Sequence, residues 1–519
     1  MSTDIDFKNG ELTDMAAVGT IDPHAVRIWL RTEQPGNYRI EWRPCKDENR
    51  ITERTVSIPE KNENDNTTSF QLPGNEQGED RLSPLTRYRY RITRSSDEAV
   101  VVRGNFETAP AHSEATPSPF SIALMSCNQP YDEKGRVQKA SVQMLRAVKK
   151  CLRAHNTKFV FMMGDQMYSD LPEKLSLFNK EYFSNVAPAG RKRILDCTPT
   201  EVRSLYHRRY RHFWNLPEWK AIQAEFPCYP IVDDHDIIDN WGSDPAHEEP
   251  EWKSIIEGAR MSYFDYQAAR LHPPQALLPD EFHYHFTYGH TASFVMDIRS
   301  KRRAGDNARL FSDAQEKALK DFLYVHQYHK ILFIVLSVPI IHLPKLAARM
   351  AARVTHSGED FSDRWSSGGH VRDRDRVLKI LHEHQTKHPF QQVVLLSGDI
   401  HIGCVHKILW NKKWPVLHQF ISSGITHYPG YFIQLGSRML IRMNHQILTD
   451  DRSLSGKVQL VKGIKGHKKN PFGGMNLGII DIETPSPDGI PRLRFMLYGH
   501  KGEEPVRAFA SDLIVPYGE

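Results

Sequence analysis

The chain reads as an α/β protein: a layered β-sandwich core flanked by helices, preceded by a small antiparallel β-sandwich. Three observations support this. Residues 16–108 alternate apolar and polar in period two, residues 120 onward alternate strand-like apolar runs with helical spacing, and four of those runs end in metal-binding side chains.

Half-buried strands explain the first observation. They are expected at 25–31, 38–42, 85–92 and 100–106, separated by turn residues such as Gln34-Pro35-Gly36 and Pro73-Gly74. An antiparallel sandwich domain over residues 1–110 follows. Residues 108–119, rich in Pro, Ser and Ala, read as a linker to a second domain at 119–519. In that second part a helix is expected at 137–154. Another at 312–323, opening on the cap-type Ser312, leads into a strand at 330–337, and a third at 373–384 leads into 393–397. Strands alternating with helices indicate βαβ units.

A length of 519 residues exceeds one usual core, so two domains are expected. Hydrophobic content of 39% and charged content of 25% exclude extended disorder. The net charge of +5 is too small an imbalance to indicate a specific nucleic-acid partner, and the basic stretch Lys462 to Lys469 reads as a solvated loop. The longest apolar run, 331–341, is interrupted by Ser337 and Pro339 and is too short to span a bilayer. Six cysteines without CxxC spacing suggest reduced thiols, and the polar N-terminus lacks an apolar leader and twin arginines. A cytoplasmic location is therefore expected, with an extracellular or periplasmic one the alternative for a processed form.

The four runs lead into Ser126-Cys127-Asn128, Gly164-Asp165-Gln166-Met167-Tyr168, Asp233-Asp234-His235-Asp236 and Ser397-Gly398-Asp399-Ile400-His401. Each alone has an ordinary reading, such as a turn for Gly-Asp or a small hydrophobe for Cys. Asp399 and His401 share one strand face, because side chains alternate. Sites in α/β sheets form beyond the carboxyl ends of parallel strands, so four such ends on one rim suggest a dinuclear metal hydrolase. Paired ions suit phosphate-ester hydrolysis, by activating water and clamping phosphate oxygens. Asp165 is the natural bridging carboxylate, with Gly164 permitting a sharp turn.

Together with His285 to Arg299 and Asp363-Arg364-Trp365, these motifs make the chain resemble the alkaline phosphatase D (PhoD-like) family of calcineurin-like metallophosphoesterases. The resemblance implies a metallophosphoesterase core and a fibronectin-like N-terminal sandwich. It implies a ferric site of Cys127, Asp165, Tyr168 and His401, whose thiolate, phenolate and carboxylate suit a trivalent ion. A second site would share Asp165 and add Asp234, Asn240 and Asp399. Oxygen donors there suit Ca²⁺, with Mg²⁺ or Mn²⁺ as alternatives. The expected substrate is a small phosphate ester, mono- or diester.

His235 is the candidate to bond the phosphate or protonate the leaving oxygen; its bland alternative is a bond to backbone or Asp236. Arg299 and Arg302 are candidates for phosphate binding, against simple ion pairing near Asp297. Trp241 and Trp365 read as packing. The catalytic set is thus His235, Asp165 and Arg299. Asp236, where the family commonly has Glu, and Trp365-Ser366-Ser367-Gly368, where it has Trp-Asp-Gly-Tyr, depart from the pattern around the substrate. Two competing readings stand beside the phosphoesterase: an inactive relative acting through its sandwich as a binding module, and a hydrolase of non-phosphate esters.

Overall fold

The computed structural model describes residues 12–74, 81–271, 277–341, 364–366, 368–410, 415–428, 438–439, 441–442, 445–484 and 489–515. Asp363, named above with Arg364 and Trp365, and Ser367 lie outside these residues.

Seven antiparallel strands form the N-terminal part in two sheets. β1 (Met15–Ile21), β2 (Val26–Arg31) and β5 (Thr67–Leu72) make one, in the order β1-β2-β5; β3 (Gly36–Pro44), β4 (Thr52–Ile58), β6 (Arg87–Arg94) and β7 (Val100–Glu107) make the other, in the order β4-β3-β6-β7. Period two is clean in β6, where Tyr88, Tyr90 and Ile92 are buried while Arg87, Arg89 and Arg91 face solvent.

Two larger sheets follow. One runs β10 (Cys228–Ile231), β9 (Thr157–Met163), β8 (Phe120–Met125), β21 (Leu477–Glu483), β22 (Arg492–Lys501), β23 (Glu504–Ser511), β19 (Gly463–Lys468). The other runs β11 (Tyr284–Tyr288), β12 (Thr291–Val295), β13 (Ile331–Val335), β14 (Gln392–Ser397), β16 (Val416–Ile421), β15 (Ile402–Trp410), β18 (Ser455–Leu460), β17 (His445–Leu448), with β20 (Phe472–Gly473) paired to β15. Strands β8 to β10 are mutually parallel, as are β12, β13, β14 and β16. Of these, β8, β9, β13 and β14 are fully buried along their whole length. The sheets pack face to face: Phe161 meets Phe333 at 6.4 Å between ring centroids and Phe420 meets Phe495 at 5.3 Å.

Helix α1 (Lys139–Ala154) covers β22 and β23. Helices α2 (Lys180–Val186), α3 (Pro199–Phe213), α4 (Pro217–Gln223) and α5 (Lys253–Tyr266) lie between β9 and β11 in sequence. Helices α6 (Asp313–Val325) and α7 (Val371–Lys387) bury their apolar faces on the outer side of the second sheet. Ser312 caps α6 by accepting from the Gln315 N–H at 3.1 Å.

The N-terminal sheets are not held by a linker alone. Their apolar core is continuous with that of β8 to β10 and α3. The Trp29 indole donates to the Asp265 carbonyl at 2.7 Å, and the Arg270 guanidinium lies 5.7 Å from the Trp29 ring and 5.2 Å from Trp214. The stretch expected as a solvated loop, 462–469, forms β19 at a sheet edge; exposed lysines there discourage edge-to-edge pairing.

Candidate metal centre

Among the described residues, the parallel strands β8, β9, β10 and β14 deliver their carboxyl ends to one rim. Cys127 follows β8, Asp165 follows β9, Asp233 and Asp234 follow β10, and Asp399 and His401 follow β14. Two glycines let these loops touch. At Gly164, with φ of 91°, a Cβ would sit 2.4 Å from the Asp233 Cβ; at Gly398 it would sit 2.7 Å from the Met163 carbonyl oxygen.

The backbone at the rim is strained where ligands were expected. Cys127, Asp165, Asn240, Asp399 and His401 all have positive φ, between 53° and 65°. For non-glycine residues such conformations cost about 1–3 kcal/mol each and cluster at functional sites. These are five of the seven residues assigned to metals from the sequence, which argues against a coincidence of turns.

Asp165 lies at the centre. Its Oδ2 is 3.3 Å from the Cys127 Sγ and 3.5 Å from the Tyr168 hydroxyl. Its Oδ1 is buried with no hydrogen-bond partner among the described residues. Burial, then the charges of Cys127, Asp234, Asp233 and Asp236, raise its pKa well above the carboxylate range. Burial is also the main cause of the raised pKa values of Cys127 and Tyr168. A cation reverses this logic, because it stabilises the anionic form of every donor around it. The donor chemistry and the orphaned Oδ1 therefore fit a metal centre.

Two triplets place one potential ligand atom each within 4.8 Å of the others: Asp165, Asp234 and His235; and Asp233, Asp234 and Asp399. The Asn240 N–H donates to Asp234 Oδ2 at 2.9 Å. The His401 N–H donates to the Ser423 hydroxyl at 2.9 Å, and its ring stacks on His427 at 4.0 Å. Burial, then His427, holds His401 well below its ordinary pKa, hence neutral as a ligand imidazole must be.

His235 does not bond Asp236. Its Nδ1 faces both oxygens of Asp170, at 2.8 and 3.0 Å, and its ring lies 4.3 Å from that of Tyr168. Burial would lower the His235 pKa, but Asp170 and Asp234 outweigh it and raise it well above the ordinary value. Asp236 instead accepts the backbone N–H groups of Asp165 and Asp233 at 3.2 and 3.1 Å, binding two of the rim loops together.

For Arg299 the geometry corrects the phosphate-binding expectation. The side chain is fully inaccessible, its Nε donates to Asp233 Oδ1 at 2.5 Å, and a terminal nitrogen lies 3.5 Å from Asp234 Oδ2. It braces the loop after β10 from below. The arginine that reaches the rim is Arg364, whose guanidinium contacts the Asp399 carboxylate. Arg302 is buried and donates to the Ser243 hydroxyl at 3.1 Å. Trp241 stacks on His247, and Trp365 is buried with its indole donating to the Val338 carbonyl.

Four neighbours escaped the sequence reading of the site: Asp170, Asp233, Arg364 and His427. Asp170 had a signal, standing two residues after Tyr168. His427 sits beyond β16, which carries His418 and Gln419 and so lacks the unbroken apolar signal of the other strand ends, and which is followed by Ser422-Ser423-Gly424.

Fold and rim define a layered α/β scaffold of the metallophosphoesterase type. The chain belongs to the PhoD-like phosphatase family, which matches residues 122–432. The solved structure of PhoD superposes with a TM-score of 0.61 at 17% identity, covering 99% of this chain and 94% of that one. A calcium-binding mutant of Bacteroides uniformis beta-glucuronidase 2 aligns with a TM-score of 0.24 at 8% identity over 98% of this chain and 61% of its own. A glycosyl hydrolase family 2 member from Bacteroides cellulosilyticus gives 0.25 and 9% over 98% and 64%. Neither bears on the fold or the chemistry. No curated protein matches the chain. Among the described residues no helix is long and apolar enough to cross a membrane.

Proposed function

We propose that this phosphatase hydrolyses small phosphate esters at the rim, with Cys127, Asp165, Tyr168 and His401 holding Fe³⁺ and Asp165, Asp234, Asn240 and Asp399 holding Ca²⁺. The observation that carries the reading is the strained, converging backbone at five of these residues around one buried, anion-crowded carboxylate. When bound, the ion pair supplies water activation and neutralisation of phosphate charge. The remaining tasks fall to side chains. His235, held by Asp170 through Nδ1 and with Nε2 3.6 Å from the exposed Asp239, serves from Nε2 as hydrogen-bond donor and proton source for the leaving oxygen. Arg364 orients a non-bridging phosphate oxygen through its guanidinium fork. Arg299 and Asp236 are positioning residues. On this reading residues 119–519 carry the chemistry and the 1–110 sandwich buttresses α3 and α5.

Metal analysis of the purified protein, paired with hydrolysis of an aryl phosphate monoester and the matching bis-aryl diester, tests the proposal. Iron and calcium in near-equal amounts, with turnover of at least one ester, support it. Turnover of aryl carboxylates alone would remove it.

A further inference from the structure

The chemistry above leaves His427 without a task, although it reaches the rim from a strand that supplies none of the proposed ligands. It follows the end of β16 at Ile421, through Ser422-Ser423-Gly424-Ile425-Thr426. Gly424 makes the approach possible. Its φ is 82°, and a Cβ there would lie 2.7 Å from the His427 carbonyl oxygen and 3.5 Å from the His401 Cα.

The segment is fastened to the loops around Asp165. The Ile425 N–H donates to the Ser126 carbonyl at 2.9 Å, and the Thr426 hydroxyl donates to the Asn128 Oδ1 at 3.0 Å. The Ser423 hydroxyl lies 3.2 Å from the Cys127 Sγ and accepts the His401 N–H. His427 ends this run with two contacts of its own. Its Nδ1 is 3.4 Å from the Tyr168 hydroxyl, and its ring stacks on that of His401 with centroids 4.0 Å apart. Tyr168 comes from the loop after β9 and His401 from the loop after β14, so one imidazole spans two loops of the rim.

We propose that His427 is a positioning residue: it donates from Nδ1 to the Tyr168 phenolate and holds the His401 ring, and it is not itself a metal ligand. The inference rests on the assignment of Tyr168 and His401 to Fe³⁺ made above. A phenolate can only accept, so the shared proton sits on Nδ1. That bond lowers the energy of the phenolate lone pairs and fixes their direction. The stack restricts His401 to one ring orientation. Groups that orient metal ligands in this way contribute about 10–100-fold in metal affinity.

Two variants test it, read by iron per chain, by iron loss to a chelator and by the position of the visible charge-transfer band. His427→Phe keeps a ring to stack on His401 and removes the donor. Without the hydrogen bond the phenolate lone pairs rise in energy, so the band should move to longer wavelength while iron stays bound. His427→Ala removes both contacts, so it should show the same band shift and hold iron about 10–100-fold more weakly. His427 is half-buried, and should His427→Phe not fold, His427→Ala decides on both readings. A band at the wild-type position in an iron-loaded variant overturns the hydrogen bond. Complete loss of iron from folded His427→Phe overturns the positioning role by making His427 a ligand. A colourless, iron-free wild type removes the ferric assignment itself, an outcome distinct from an unshifted band.

Discussion

Asp170 holds His235 through both carboxylate oxygens and also accepts the Asp239 N–H at 2.7 Å, so one side chain fixes the imidazole and the loop that follows it. The same acid–imidazole pairing favours the imidazolium, with one N–H committed from Nδ1 to Asp170 and the Nε2 proton left to be donated.

His235→Ala should lower kcat by about 10²–10⁴-fold with metal content unchanged. The loss should shrink for aryl esters with acidic leaving groups. Asp170→Asn should act in the same direction and less strongly, because it misorients the ring without removing it. Equal losses across leaving groups would exclude proton donation, and a variant with normal kcat would exclude His235 from the chemistry.

Arg299 and Asp233 are both completely buried, so removing one leaves the other as an uncompensated interior charge. Arg299→Met should cost about 3–5 kcal/mol in stability, read by denaturant unfolding. A substrate-binding arginine would instead raise KM at unchanged stability, and that behaviour is expected of Arg364→Ala.

The proposed second ion set consists of oxygen donors only. Chelation selective for Ca²⁺ should abolish turnover, with recovery on adding Ca²⁺, and Asp234→Asn or Asp399→Asn should weaken calcium binding while iron is retained. Recovery by Zn²⁺ alone would contradict the donor argument.

Asp65 joins the N-terminal sheets to α3 and α5: Arg211 lies 2.6 Å and Arg31 3.5 Å from its carboxylate, which also accepts the Tyr266 hydroxyl. Burial would raise its pKa, but the two guanidinium groups outweigh it and hold it below the ordinary value. The folded pKa is therefore lower than the unfolded one, so the stabilisation is full above about pH 4 and fades as pH falls through the folded value. Acid unfolding of wild type should show this loss. Asp65→Asn should be less stable at neutral pH, with the difference narrowing in acid. A constant difference across the range would contradict it.

The rim was legible because buried parallel strands advertise themselves as unbroken apolar runs, and Cys127, Asp165, Asp234 and Asp399 stand directly at their ends. The helices α1, α6 and α7 fell within a few residues of the spans expected at 137–154, 312–323 and 373–384. What sequence did not show depends on distant pairing. Strands β21 to β23 complete the first sheet from the last fifty residues, and only their pairing with β8 reveals that role. β4 carries a polar, exposed alternation that pattern alone leaves ambiguous. Arg299 was misjudged because its partner is Asp233, across the two sheets, rather than the nearby Asp297, whose carboxylate accepts the Arg299 N–H instead.

The most direct measurement is the visible absorption spectrum of the purified protein beside that of Tyr168→Phe, with iron quantified in both. A phenolate on Fe³⁺ gives a coloured protein, so wild type should show a visible charge-transfer band that Tyr168→Phe lacks; Cys127→Ala should lose iron while remaining folded. A colourless wild type with no iron, or a band that survives in Tyr168→Phe, would contradict the proposed centre.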